Sequence, residues 1–306
     1  MNQRTLEKRI EECFPGFRVS HAEQILTGWD NIVLEVNGEY IFRFPRFKVS
    51  EAHLRKEIAF LPFLRRRLQL KVPEYEFVWR GGKEQSTWFG GYKKIPGVPL
   101  TVGGFRLAWA ERLAETIADF LVSLHSLNAS GTPKAISRYT PALSFEHLKE
   151  THRRVGRLVY PLLGAGTRRR AEAFWKSLLD DLAGARFRPA LIHGDLTSRN
   201  ILLDPAVGAA TGILDWGDAA VSDPAFDFAG LFEVNKRLGE RTLELYGKAD
   251  GELRRRVDWY VRMIPFYEIL WGVEQGSERF KEDGKRRLEH RLRTKYVSTD
   301  GSVEAQ

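Results

Sequence analysis

The sequence has a single cysteine and no long apolar run. Because Cys13 is the only cysteine among 306 residues, the sequence excludes an internal disulfide and a metal site built from cysteines. The stretch from Met1 to Glu12 is charged and helical in pattern, without the apolar core that a signal peptide needs. No segment approaches the length of a membrane-spanning helix. We therefore expect a cytoplasmic protein that does not bind membranes.

The charge is basic, but the basic residues follow no nucleic-acid-binding motif. The chain has 48 Lys and Arg against 40 Asp and Glu, which gives a net charge of +8. Basic clusters at Arg65–Arg67, Arg168–Arg170, Arg254–Arg256 and Lys285–Arg287 lie in polar stretches with helical spacing, typical of solvated helix faces. The predicted partner is thus a small molecule and not a specific nucleic acid. At 43% hydrophobic residues, the chain is long enough for a large core and two lobes.

The residues that indicate chemistry lie between Leu191 and Gly230. Asp195 follows a His-Gly pair, Asn200 comes five residues later, and Asp215 follows the short apolar run 211–214, which suits a buried strand. Phosphoryl transfer needs a carboxylate to orient the attacking hydroxyl and oxygen ligands that hold magnesium against the phosphates. The spacing of Asp195 and Asn200 is that of a kinase catalytic loop, and Asp215 precedes Trp-Gly where a kinase has Phe-Gly. This pattern predicts Asp195 as the catalytic base, with Asn200 and Asp215 as Mg²⁺ ligands.

Each of these residues also has an ordinary structural explanation. Asp and Asn are common in turns and helix caps, and His-Gly-Asp alone is a frequent turn. A nucleotide-binding regulator or basic interaction protein without catalytic activity is a further alternative. The order and spacing of all three residues favour phosphotransfer, because a protein without that reaction has no chemical need for the set.

The same stretch resembles the aminoglycoside phosphotransferase superfamily of small-molecule kinases. The resemblance extends from about Leu26 to Gly276, and the segments that are most similar to the branch acting on the 2″-hydroxyl of aminoglycosides are GWDNIVLEVNGEYIFRFPR, GYKKIPGVPLT, LHSLNASG, LIHGD and GILDWGDAAVSDPAFDF. It implies a bilobal α+β fold like that of protein kinases, with an antiparallel sheet in the N-terminal lobe and a mainly helical C-terminal lobe. The expected boundaries are 1–92 for the nucleotide-binding lobe, 93–97 for the hinge and 98–306 for the catalytic and substrate-binding lobe.

The first lobe contains the expected nucleotide-binding residues. Residues 19–44 alternate like strands, with an Asn37-Gly38 hairpin signal, and Gly28 lies in the loop that the resemblance places over the phosphates. Arg43 stands where kinases place the phosphate-binding lysine, and Glu57 where they place its acidic partner. Without the resemblance, Gly28 is equally well explained as a turn residue. A surface ion pair is the alternative explanation for Arg43 with Glu57.

The hinge residues bear on the choice of nucleotide. The resemblance implies that the main chain of Lys93 and Ile95 binds the purine and that Tyr92 stands at the gatekeeper position. Because bulk at that position accompanies guanine binding in the family, we expect either ATP or GTP as the phosphate donor, together with Mg²⁺.

The acceptor residues follow from charge and from the same resemblance. An aminoglycoside is a polycation, so its site needs carboxylates that face the ammonium groups. The implied residues are Asp218, Glu233 and Glu268, with Trp271 as an apolar wall. Each of these is equally well explained as a solvated helix residue.

Two features count against an aminoglycoside acceptor. Arg199 occupies a loop position that is commonly acidic in the 2″-kinases, and only Glu233 remains of the acidic cluster that follows the last catalytic motif. The alternative acceptor is a macrolide or another hydroxylated small molecule, whose apolar surface would suit Trp259, Phe266 and Trp271.

Two expectations concern the helices of the second lobe. We expect Pro265 to kink or divide the aromatic helix at 259–275. His125, near the end of an apolar helix at 109–127, is expected to be packed or capping and not catalytic. The sequence thus predicts a monomeric small-molecule kinase that modifies an antibiotic.

Overall fold

The N-terminal part of the chain folds into a five-stranded antiparallel sheet with the strand order β1-β2-β3-β5-β4. The computed structural model describes residues 2–25, 30–82, 87–128, 144–184 and 187–294, together with Thr132, Ile136 and Val297. The elements of this part are α1 (Gln3–Cys13), β1 (Ala22–Ile25), β2 (Asn31–Val36), β3 (Tyr40–Pro45), α2 (Lys48–Arg65), β4 (Tyr75–Trp79) and β5 (Phe89–Lys93).

The hairpin between β2 and β3 confirms the Asn-Gly signal. Asn37 and Gly38 both have positive φ, 57° and 70°, as a two-residue type I′ turn requires. Along β3 the side chains alternate, so Phe42 and Phe44 pack into the core formed with α1 while Arg43 lies on the other face of the sheet. The alternation thus places a charged side chain toward the second lobe.

The C-terminal part is mainly helical, as the sequence predicted. Its helices are α3 (Ala110–Ser126), α4 (Phe145–Leu158), α5 (Ala165–Gly184), α6 (Phe226–Val234), α7 (Lys236–Tyr246), α8 (Gly251–Glu274) and α9 (Glu278–Arg291). Its short strands are β6 (Val98–Pro99), β7 (Ala190–Ile192), β8 (Ile201–Asp204), β9 (Ala209–Ile213) and β10 (Ala220–Ser222). They form the antiparallel sheets β6-β8-β9 and β7-β10.

Of the two expected effects of Pro265, a kink or a division, the division does not occur, because helix α8 is continuous through this residue. Proline has no N–H, which removes the hydrogen bond to the carbonyl of Val261 one turn earlier. Arg291 of α9 supplies the missing donor, because its Nη1 donates to the Val261 carbonyl at 2.6 Å. A side chain from a neighbouring helix therefore compensates for the proline.

Helix α2 joins the two parts of the molecule. Its Phe60, Leu61 and Leu64 belong to the large core of the C-terminal part, whereas the smaller core contains α1 and the sheet. Glu57, one helical turn before Phe60, reaches the sheet through an ion pair with Arg43. Within the described ranges, no helix is both long and apolar enough to cross a bilayer.

Candidate active site

A cavity of about 610 Å³ lies between the sheet and the C-terminal part. This volume is in the range of small-molecule binding sites. Its lining includes Arg43, His53, Tyr92, Ile95, Asp195, Arg199, Asn200, Asp215, Asp218 and Trp271. The structure thus brings most of the residues that the sequence predicted into one site.

The catalytic loop holds Asp195 and Asn200 in direct contact. The Nδ2 atom of Asn200 donates to the main-chain oxygen of Asp195 at 2.8 Å and to its Oδ2 at 2.9 Å. A short 3₁₀ helix at Ser198–Asn200 turns the chain back toward Asp195. The five-residue spacing therefore corresponds to a closed loop with both side chains in the cavity.

Asp215 lies two residues beyond β9 in a left-handed backbone conformation, with φ 60° and ψ 70°. Such a conformation is unfavourable for a residue other than glycine and is concentrated at functional sites. The N–H of Leu214 donates to the Asn200 carbonyl at 2.8 Å, which fixes the strand end beside the catalytic loop. The structure thus brings Asn200 and Asp215 together.

Arg43 links two carboxylates through separate nitrogen atoms. Nη1 contacts Oε2 of the fully buried Glu57 at 2.6 Å, and Nη2 contacts Oδ1 of Asp215 at 2.8 Å. The hydroxyl of Tyr75 lies 3.3 Å from Oε1 of Glu57, a longer contact that completes the network. Burial alone would lower the pKa of Arg43, but the charges of Asp215 and Glu57 raise it well above its usual value. The guanidinium is therefore a permanent cation at this site.

The two aspartates of the site differ in their electrostatic environments. Burial tends to raise the pKa of Asp215, but the charge and hydrogen bond of Arg43 outweigh burial and lower that pKa below its usual range. Burial raises the pKa of Asp195 well above its usual range, and the charges of Asp218 and Asp215 add to the rise. The raised proton affinity of Asp195 suits a group that accepts a proton from a hydroxyl. The lowered pKa of Asp215 suits a carboxylate that binds a cation.

The donor atoms near Asp215 fit a magnesium ion that shares its ligands with phosphates. Because the amide nitrogen of Asn200 is used by Asp195, the atom of that side chain left to meet a cation is the carbonyl oxygen. No cluster of three or more His, Cys, Asp or Glu side chains in the described ranges could hold a metal by itself. One carboxylate and one amide oxygen match the way Mg²⁺ is held in nucleotide sites, where substrate phosphates and water complete the shell.

A buried aspartate that the sequence did not predict as functional holds the turn before Asp195. Asp227 of α6 accepts hydrogen bonds from the main-chain N–H groups of His193 at 2.8 Å and Gly194 at 2.9 Å, and lies 3.1 Å from Nε2 of His125. Nδ1 of His125 lies 3.1 Å from the Tyr246 hydroxyl. His125 is thus packed in a support network, as expected. The sequence feature that could have indicated a role for Asp227 is its position as the only carboxylate in the apolar segment FDFAGLF.

The turn before Asp195 requires glycine at position 194. The φ of Gly194 is +83°, and a Cβ atom would lie 2.5 Å from the main-chain oxygen of Asp218. The turn therefore lies directly against the segment that follows Asp215, which keeps Asp195 and Asp218 on one side of the cavity.

Helix α2 contributes two further polar side chains that the sequence gave no reason to select. Nζ of Lys56 donates to the Ala219 carbonyl at 3.1 Å, and burial lowers the pKa of Lys56 to about 8. His53 lines the cavity 3.8 Å from Oδ2 of Asp30, and its hydrogen bond to Asp30 raises its pKa. Both residues connect α2 with the segments that border the cavity.

Only some of the predicted nucleotide-binding residues line the cavity. Gly28 lies outside the described residues. Tyr92 and Ile95 line the cavity, and Tyr92 packs edge-on against Tyr75 at 5.2 Å. Lys93 ends β5 and its side chain is exposed. The predicted contact between the main chain of Lys93 and Ile95 and a purine stays a prediction.

Only two of the four predicted acceptor-binding residues line the cavity. Asp218 and Trp271 line the cavity, whereas Glu233 and Glu268 lie outside its lining and both form ion pairs with Arg287. Their predicted role in acceptor binding stays a prediction.

Two side chains suggested for an apolar acceptor are in the wrong place. Phe266 is fully buried and stacks on Phe174, with ring centroids 5.9 Å apart. Trp259 is 6% exposed and lines a separate cavity of about 310 Å³ beside α5. Helical geometry explains the correction, because residues 259, 266 and 271 cannot all project from one face of α8.

Comparison with known proteins identifies the family. The chain is 28% identical over 195 residues to viomycin phosphotransferase from Streptomyces vinaceus, a match that covers 62% of this chain and 66% of that protein. The structure of the GDP and kanamycin complex of APH(2")-IIia is similar, with a TM-score of 0.85 and 27% identity over 94% of this chain and 98% of that one.

A macrolide 2'-phosphotransferase, MphH from Brachybacterium faecium, shares the fold at a TM-score of 0.68 and 21% identity, over 93% of this chain and 97% of that one. These structures establish the bilobal kinase-like architecture. The model of the phosphotransferase enzyme family, APH, matches residues 21–260. The chain therefore belongs to the phosphotransferase enzyme family.

Proposed function

We propose that this phosphotransferase transfers the γ-phosphoryl group of ATP or GTP to a hydroxyl of an aminoglycoside antibiotic, at the 2″ position. The observation that carries the proposal is the contact between Asp195 and Asn200 in a cavity that also contains Asp215 and Arg43. A base, an amide oxygen, a carboxylate and a fixed cation are the groups that phosphoryl transfer requires. We further propose that the protein acts as a monomer in the cytoplasm, where nucleoside triphosphates are available.

In this mechanism Asp195 orients the acceptor hydroxyl toward the γ-phosphorus and accepts its proton as the new O–P bond forms and the bond to the β-phosphate oxygen breaks. Arg43, oriented by Glu57, neutralises charge on the phosphates. Asn200 and Asp215 would hold Mg²⁺, which when bound screens the charge on the phosphate oxygens. The loop at Gly28 would cover the phosphates, and Tyr92, Lys93 and Ile95 would contact the purine.

The proposed acceptor contacts are Asp218, Glu233 and Glu268 for ammonium groups and Trp271 for the sugar face. The 2″-kinase similarity and the kanamycin complex of a similar structure support an aminoglycoside. One observation favours a macrolide or another weakly cationic molecule instead. Arg199 lines the cavity beside Asp195, and an arginine there repels a polycation.

The test is a panel of kanamycin, gentamicin and erythromycin-type acceptors, each incubated with Mg²⁺ and either ATP or GTP. We expect the product to gain the mass of one phosphoryl group with the wild type and not with Asp195→Ala. If no aminoglycoside gains mass, the proposal that the acceptor is an aminoglycoside is refuted. The kinase proposal would then be tested by the incubation with the erythromycin-type acceptor. Equal, background-level nucleotide turnover by wild type and Asp195→Ala would refute the kinase proposal itself.

A further inference from the structure

We propose that Arg287 of α9 is a specificity-determining residue: it occupies the carboxylates of Glu233 and Glu268 as an internal cation and competes there with the ammonium groups of the acceptor. The inference rests on the proposed function and goes beyond it, since it names a residue of this chain that limits how well a polycationic acceptor binds. It follows from the position of the two carboxylates, from the partial exposure of the Arg287 side chain, and from the chemistry of the contact.

The two carboxylates lie outside the lining of the cavity, each on a helix face next to a residue that contacts the catalytic loop or the cavity. Glu233 lies one helical turn after Gly230, which packs so closely on the catalytic loop that a Cβ atom would lie 2.2 Å from the Leu196 carbonyl oxygen. Glu268 lies one turn before Trp271, which lines the cavity. Because residues three positions apart share a helix face, Glu233 lies on the side of the catalytic loop and Glu268 on the side of Trp271.

Arg287 bridges these two carboxylates, which belong to different helices. It contacts Oε2 of Glu233 with one nitrogen and Oε1 of Glu268 with another. Burial raises the pKa of Glu268, and the nearby charge of Arg291 acts in the opposite direction. Oε2 of Glu268 is buried and accepts no hydrogen bond from the described residues. Two carboxylates of this kind form a site for a cationic group with several N–H donors, such as the ammonium of an aminosugar.

The neighbouring Arg291 has a different role. It is buried, contacts Glu233, and donates to the Val261 carbonyl that Pro265 leaves without a partner. Arg291 is therefore fixed by the helix it supports. The side chain of Arg287 is about one third exposed (35%), so it can leave the carboxylates without breaking the core.

Competition between Arg287 and an acceptor has a defined chemical consequence. An acceptor with several ammonium groups must displace the guanidinium before it contacts Glu233 and Glu268. An acceptor with a single amine and a large apolar surface gains little from that exchange. Arg287 therefore weakens the binding of polycations selectively.

The test compares Arg287→Gln with Arg286→Gln. The two substitutions remove the same charge from adjacent positions of α9, but Arg286 is 76% exposed and pairs only with the nearby acid Asp283 among the described ion pairs. The dissociation constant of kanamycin is measured by calorimetry at low and high salt, and KM and kcat are measured for kanamycin, for an erythromycin-type acceptor and for ATP.

We expect Arg287→Gln to bind kanamycin about fivefold more tightly than wild type, the ratio that corresponds to loss of one partly exposed ion pair. The KM for kanamycin should fall by a similar factor, with kcat, the KM for ATP and the KM for the erythromycin-type acceptor unchanged. Arg286→Gln should equal wild type throughout. Added salt should reduce the difference, because it screens the exchanged charges.

Unchanged or weaker kanamycin binding by Arg287→Gln, relative to Arg286→Gln, overturns the inference. If Arg287→Gln does not fold, Arg287→Lys replaces it: a single ammonium bridges two carboxylates less well, so kanamycin should bind more tightly than to wild type, and any other result counts against Arg287. Because binding is measured apart from turnover, failure of this inference is distinguishable from failure of the kinase proposal, which the Asp195→Ala comparison tests.

Discussion

At the scale of single residues, Arg43 differs from a lysine in reaching two carboxylates at once. Its Nη1 and Nη2 atoms contact Glu57 and Asp215 respectively, so each carboxylate has its own nitrogen, whereas a single ammonium would have to share one nitrogen between both. We expect Arg43→Lys to raise the KM for nucleotide about tenfold, the equivalent of about 1.4 kcal/mol. The KM for the acceptor should be unchanged. Steady-state kinetics with each substrate varied in turn measures this, and equal nucleotide KM values for Arg43→Lys and wild type would refute it.

The buried side chain of His193 should make the free energy of unfolding depend on pH. Burial lowers the pKa of His193 below its usual 6.5, against the opposing charge of Asp227. Between the lowered pKa and 6.5 the unfolded chain binds a proton that the folded chain does not, so this residue makes the free energy of unfolding rise with pH up to about 6.5. Its contribution is lost as the pH falls through the same window.

Urea unfolding of wild type and His193→Gln between pH 5 and pH 7.5 tests this dependence. The difference between the two free energies of unfolding isolates His193 from the other titrating groups. We expect wild type to lose more stability on acidification than His193→Gln does. Parallel pH profiles for the two proteins would contradict the prediction.

At the scale of secondary-structure elements, Asp227 connects α6 with α3 and with the turn before Asp195. It accepts from the N–H groups of His193 and Gly194, and asparagine at this position would turn a donor toward one of them. We expect Asp227→Asn to lower the free energy of unfolding by about 1–3 kcal/mol, the cost of a buried polar group without a partner. Because the displaced turn holds Asp195, kcat should fall more than the affinity for nucleotide.

Denaturant unfolding and nucleotide titration of Asp227→Asn measure the two effects. The matched control is Asp119→Asn, an exposed position on α3. A variant with the same loss of stability but an unchanged kcat would show that Asp227 supports the fold alone.

Local sequence signals predicted the elements better than the contacts between them. The Asn37-Gly38 hairpin, the apolar run before Asp215 and the spacing of Asp195 and Asn200 each depend on neighbouring residues, and the structure agrees with all three. The support from Asp227 joins residues more than thirty positions apart, which no local pattern reveals. The continuity of α8 likewise depends on Arg291, thirty positions from the carbonyl that it satisfies.

The surroundings of the proposed acceptor residues were the least predictable part for the same reason. Glu233 and Glu268 are acidic residues on helices, and their composition alone favours a cation-binding role. Whether that cation comes from a ligand or from Arg287 depends on how α9 packs against α8, where Gly284 lies in close contact with Ile269. Such packing follows from the tertiary fold and not from the residues of either helix alone.

At the scale of the whole molecule, the proposed nucleotide site lies between two separate hydrophobic cores. The smaller core consists of α1 and the sheet, and the larger one includes the inner face of α2 and the helices of the C-terminal part. Arg43 belongs to the sheet, Glu57 to α2, and Asp215 follows β9, so the network crosses from one core to the other. A ligand that binds this network therefore stabilises both parts of the protein together.

Binding of Mg²⁺ and nucleotide should consequently raise the temperature of a single unfolding transition. At a nucleotide concentration 100 times the dissociation constant the expected gain is about 2.7 kcal/mol, which corresponds to a rise in Tm of roughly 4 °C for a chain of 306 residues. In Asp215→Asn the left-handed backbone remains accessible, because asparagine also adopts it, but the carboxylate that would hold Mg²⁺ is gone. The Mg²⁺-dependent part of the rise should then disappear, while Asp119→Asn keeps it. Scanning calorimetry with nucleotide, once with Mg²⁺ and once with a chelator instead, separates the Mg²⁺-dependent part of the rise in Tm from the part due to nucleotide alone. An equal Mg²⁺-dependent rise in Asp215→Asn and wild type would exclude Asp215 as the metal ligand, because a ligand can stabilise the folded state only through contacts that the folded state makes.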